Sequence, residues 1–133
     1  MSHRTIFLAA AALMFAATAF AATAWAHHNM SAIYDFNDKI MMTGTLTKID
    51  WRNPHIELIV DTKNGTEVQS WALEGPSPSF FRARDINRSD VEAALNKTVT
   101  ADASRARDGS RAGLLRTMTL PDGKVISACP QNC

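Results

Sequence analysis

Four residues in this 133-residue chain have the types and spacing for metal chemistry: His27, His28 and Met30 in "AHHNM", and His55 in "WRNPHIEL". If the chain is cut just before His27, the free α-amine and the His27 ring nitrogen can chelate one ion together. One further imidazole then completes a three-nitrogen set that suits Cu(II), and the Met30 thioether suits the softer Cu(I). His28 and His55 are the candidates for that third nitrogen. Copper is therefore the sharpest candidate ligand. The plainer alternative is a loose chain end whose histidines do nothing, with His55 bonded to its own turn.

Whether His27 becomes a terminus depends on the first 26 residues. They hold one early cation, Arg4, then an apolar run from Ile6 to Ala22, then Ala24-Trp25-Ala26. A charged start, an apolar stretch and small residues three and one positions before the cut make a secretory signal. Residues 1–26 are read as that signal, with Ala22-Thr23-Ala24 as a competing cleavage site. A retained anchor is the other reading, but the run is mostly alanine, which weakens it as a permanent span. The expectation is a periplasmic or secreted bacterial protein with no stable membrane span after cleavage.

Cleavage removes Arg4 and leaves 13 basic and 13 acidic residues. A neutral exported domain is a poor candidate for nucleic-acid binding. The charge is unevenly spread: residues 27–81 carry four Lys/Arg and seven Asp/Glu, whereas residues 82–116 carry eight and five. The second half could present a mildly basic face or simply a solvated one.

Other chemistry is thin. The tail Cys129-Pro130-Gln131-Asn132-Cys133 would pair as a disulfide in an oxidising compartment, closing a loop too small to staple the fold. Trp51, Arg52, Trp71 and Glu74 could form a binding face, although tryptophans in so small a chain usually build the core. Glu74 could equally form an ordinary salt bridge with Arg52, Arg82 or Arg84. No Ser-His-Asp signature, nucleophile elbow or phosphate-cradling glycine loop occurs, and no enzyme is expected.

The elements that must position these residues read as strands broken by turns. From Ile40 to Trp51 the chain alternates, with Met42, Gly44 and Leu46 on one face; the apolar set then shifts phase to Ile49 and Trp51. Such a shift marks a β-bulge, and Gly44 a bend. Asn53-Pro54 turns the chain into Ile56, Leu58 and Val60, and Asn64-Gly65 is a hairpin signal leading to a strand from Glu67 to Leu73. A helical turn is expected over Ser79–Arg84. A second helix is expected with Ser89 as cap, Glu92 three residues on, and Val91, Ala94 and Leu95 as its buried stripe. Strands resume at Thr98–Arg105, Leu114–Leu120 and Lys124–Ala128. Three strands, a helical insert and further strands is the order of the small Greek-key barrel called the OB-fold. The expected fold is all-β with a short helical insert, a five- to six-stranded OB-like antiparallel barrel over residues 40–128. An N-terminal arm (27–39) precedes it and a cysteine-containing tail (129–133) follows. The runner-up is an open antiparallel sheet with a helix on one face.

Four stretches carry a resemblance: Ala26-His27-His28 with Met30, Trp51 with Asn53-Pro54-His55, Trp71 to Gly75 with Pro76 and Pro78, and Arg107-Asp108-Gly109-Ser110. Together they resemble a family of small exported bacterial proteins with no assigned function. The resemblance implies an exported OB-like domain and assigns it no particular activity. Asp85-Ile86 stands where that pattern has a Gly-Trp pair, and the two-cysteine tail is an addition to it. Two functions follow as expectations: a small binding or accessory domain that takes copper, or an interaction module that docks a protein or an envelope component without metal.

Overall fold

A computed structural model describes residues 30–129. Residues 30–33, the described end of an N-terminal unit, form a helical turn, and the second unit opens at Tyr34. Its order is β1 (Tyr34–Asp50), β2 (Ile56–Asn64), β3 (Glu67–Gly75), α1 (Pro78–Arg82), α2 (Arg88–Glu92), β4 (Thr98–Ala106), β5 (Ala112–Thr119) and β6 (Val125–Ser127). None of the described helices is long and apolar enough to cross a membrane.

β1 starts earlier than expected, inside the segment read as an arm. Tyr34 and Phe36 alternate with Asp35 and Asn37, which is itself a strand pattern, and Tyr34 pairs with Ala106 of β4. The expected change of phase falls between Leu46 and Lys48, where the register against β2 slips by one residue. Leu46 opposes Val60 while Lys48 opposes Ile59, so Thr47 is the extra residue and Ile49 returns to the inner face. Glycine at 44 has a steric cause. A Cβ there would come within 2.9 Å of the Asp61 carbonyl carbon, so only a bare backbone lets β1 and β2 approach.

The β2–β3 hairpin pairs Asn64 with Glu67 across a two-residue loop, and Gly65, at φ 62°, takes the left-handed conformation. The result is a mostly antiparallel six-stranded sheet in the order β3-β2-β1-β4-β5-β6. β3 also pairs with β5, in parallel, through Ala72↔Ala112, Leu73↔Gly113 and Glu74↔Leu114. The inner face is the one alternation implies. Met42, Leu46, Ile56, Leu58, Val60, Val99 and Ala101 are buried, and Glu57 between two of them is exposed.

The helices depart from expectation. α1 begins at Pro78, a good first helical residue because its missing N–H needs no partner there. α2 is capped by Asn87, not Ser89; the Asp90 carboxylate accepts the Asn87 N–H at 2.8 Å. Asn-x-x-Asp and Ser-x-x-Glu both fit a capping box, two residues apart. Packing decides between them, because capping at Asn87 puts Ile86 before the cap and Val91 four positions after it, and both are buried in one core cluster. Glu92 pairs instead with Arg88 at 2.6 Å. The helix then ends at Ala93, so Val91 and Ala94 are buried as expected but Leu95 lies beyond the last turn, exposed.

Candidate functional site

The turn between β1 and β2 carries His55 to the edge of the sheet, one residue before buried Ile56. Its Asn53–Pro54 bond is cis. Across the β2–β3 register Glu57 opposes Glu74, which puts the Glu74 carboxylate on the outer face beside that turn. His55 Nδ1 lies 2.5 Å from Glu74 Oε1, and the Tyr34 hydroxyl donates to Glu74 Oε2 at 2.6 Å. Each carboxylate oxygen thus holds one partner, one from the β1–β2 turn and one from the start of β1.

Tyr34 is the chain's one tyrosine and is 5% exposed. Burial is the main reason its phenol is held far above its ordinary pKa. The bond to Glu74 and the negative charges of Glu74, Glu57 and Asp108 add to the shift. Tyr34 is therefore a neutral, permanent donor, and its bond aims the carboxylate at His55. Sequence reasoning missed it; the Tyr34/Phe36 alternation was the available signal.

Asp50, Glu57 and Glu74 stand in one row across β1, β2 and β3, paired strand to strand. Each has its own nitrogen partner: Arg52 lies 2.7 Å from Asp50, Lys48 lies 3.9 Å from Glu57, and the His55 ring serves Glu74. The ordinary salt bridge considered for Glu74 is therefore not formed with Arg52. Arg84 lies over the Phe80 ring, 3.7 Å from its centroid, and Arg82 is exposed on α1. The row borders a cleft of about 380 Å³ lined by Tyr34, Asp50, Arg52, His55, Glu57 and Glu74 among others.

The four residues considered as a binding face divide between clefts. Arg52 and Glu74 belong to the His55 cleft. Trp51 packs on Phe81, with ring centroids 5.2 Å apart, and lines a cleft against the two helices. Trp71 sits on the inner face of β3 and lines a third cleft with Ile40, Met42 and Arg105, whose guanidinium lies 5.4 Å from its ring centroid. His27, His28 and Cys133 lie outside the described residues; Met30 and Cys129 are at their ends. Among the described residues no group of three His, Cys, Asp or Glu is placed to hold a metal ion.

The basic bias of the second half is largely absorbed by the acidic first half. Arg105 meets Asp38 at 3.2 Å, Arg107 meets Asp35 at 3.1 Å and Arg111 meets Glu67 at 3.6 Å, while Arg116 finds Asp102 within β4 at 3.0 Å. Antiparallel pairing of β1 with β4 brings the two sequence halves side by side, so no broad cationic face survives on these strands.

Residues 15–116 match a family of unknown function, DUF6152, and the chain belongs to that family. No curated protein and no solved structure matches it.

Proposed function

We propose that this member of a family without assigned function is an exported bacterial binding domain, not an enzyme, that holds Cu(II) at its mature N-terminus. The metal set is the His27 amine, the His27 ring and the His55 Nε2, with His28 as the fallback imidazole and Met30 as a softer ligand for the reduced ion. The scaffold in this reading is an OB-like five- to six-stranded antiparallel barrel. That reading is supported by the pairing that runs β3–β2–β1–β4–β5 and returns to β3 through a parallel contact.

One observation carries the proposal: His55 Nδ1 is held by Glu74, which is itself held by Tyr34. A carboxylate on one ring nitrogen fixes the tautomer, makes the other nitrogen the more basic ligand and orients the ring, as the outer partners of metal-bound histidines do. A histidine that served only its own turn would bond a turn backbone group, whereas this one bonds a side chain on a different strand.

The test compares correctly processed protein with a form carrying one extra residue before His27. Processed protein should bind Cu(II) with a three-nitrogen electron paramagnetic resonance signature, and the extended form should bind far more weakly. His55→Ala should remove one nitrogen from the signature. Equal affinity in the processed and extended forms would refute the chelate.

A further inference from the structure

The cleft between the end of β1 and the two helices differs from the His55 cleft in its charge, and it carries two arginines where the Trp71 cleft carries one, Arg105. It measures about 390 Å³, within the range of small-ligand sites, and its floor is Trp51, Pro78 and Ile86. Arg82, Arg88 and Ser89 stand on its rim, and no carboxylate lines it. The His55 cleft, by contrast, is bordered by three carboxylates.

Of the two arginines that line this cleft, Arg82 is the one without a carboxylate partner among the described residues. Arg52, Arg88, Arg105, Arg107, Arg111 and Arg116 each have a carboxylate partner, whereas among the described residues Arg82 lies within salt-bridge distance of none. Arg88 bonds Glu92 through its Nε. Arg82 is thus the primary cation of the cleft and Arg88 the secondary one.

We infer that this cleft binds a small planar organic anion, with the flat apolar body on Trp51 and the acid group on Arg82. Two features select that class. Trp51 is backed on one side by Phe81, so its ring is a fixed platform that favours a flat partner. A guanidinium presents a planar fork that suits a carboxylate, and here it is free to take one. The inference does not rest on copper binding, since the site shares neither His55 nor Glu74.

The experiment is an NMR titration of the processed protein with three probes: benzoate, benzyl alcohol as its neutral analogue, and inorganic phosphate as an anion without a flat body. Benzoate should shift the Trp51 indole N–H and the amides of Arg82 and Ser89, and should bind more tightly than either control. Arg82→Glu should weaken benzoate by about tenfold or more, as loss of a charge-assisted bond does. Arg88→Ala should weaken it less. Arg82 is exposed, so its replacement should leave the core amides unshifted. No binding of benzoate, equal binding of benzyl alcohol, or benzoate binding untouched by Arg82→Glu would each overturn the inference.

Discussion

Tyr34 and Glu74, 40 residues apart, meet through a 2.6 Å hydrogen bond that joins the start of β1 to the end of β3. The bond leaves one carboxylate oxygen for His55, so the position of an exposed histidine is set by a buried phenol two contacts away. The site is a chain of three side chains from three elements, and a change at any link should be felt at the imidazole.

Glu74→Gln tests the middle link. The amide can still accept from Tyr34 but holds His55 without charge, so under the copper proposal affinity for Cu(II) should fall by about 10–100-fold. A competition titration at fixed pH measures this, with circular dichroism to establish that the fold is retained. Unchanged affinity would show that His55 is not a ligand oriented by Glu74.

Tyr34 should titrate only at strongly alkaline pH. Its folded pKa is raised, so this group's contribution to stability is fully present below the unfolded value of about 10 and is lost as pH climbs from there towards the folded value. With one tyrosine in the chain, ultraviolet absorbance reports it directly. Tyrosinate should appear together with unfolding, and Tyr34→Phe should remove that alkaline destabilisation. Near neutral pH the same substitution should cost about 0.5–1.5 kcal/mol by denaturant titration. A tyrosine that ionises at its ordinary pH in folded protein would contradict the buried bond.

Leu58 is fully buried on the inner face of β2, opposite Ile49 and Leu73. Leu58→Ala should therefore destabilise the protein by about 2–5 kcal/mol, the usual cost of a core cavity. Glu57→Ala, next in sequence on the outer face, should have a much smaller effect in the same denaturation series. Comparable losses at the two positions would mean the strand is facing the other way.

The α2 cap should show in acid. The Asn87 backbone N–H first, and Lys124 after it, hold the Asp90 carboxyl below its ordinary pKa. Because the folded value is depressed, the contribution is present above the unfolded pKa of about 3.9 and disappears as pH falls through the folded one. Asp90→Asn should lower the melting temperature at neutral pH and narrow its gap to the parent as the solution is acidified. Ser89→Ala, by contrast, should hardly move it. A larger loss at Ser89 would restore the cap that the sequence alone favours.

Sequence alone was sufficient wherever the signal is local. The period-two burial of Ile56, Leu58 and Val60, the bulge after Leu46 and the Asn64-Gly65 hairpin depend on neighbouring residues and backbone dihedrals, so they could be read directly. The cap of α2 shows where locality ends. The sequence pattern pointed to Ser89 and Glu92, whereas the helix is capped at Asn87, where Ile86 and Val91 are buried in a shared core. The partners of Glu74, the neutralisation of the Arg-rich half and the β3–β5 contact belong to tertiary structure. Each depends on which strand lies beside which, and in what register, over separations that no local pattern encodes. Tyr34 became a site residue only because β1 extends back to it and its hydroxyl reaches Glu74 near the end of β3.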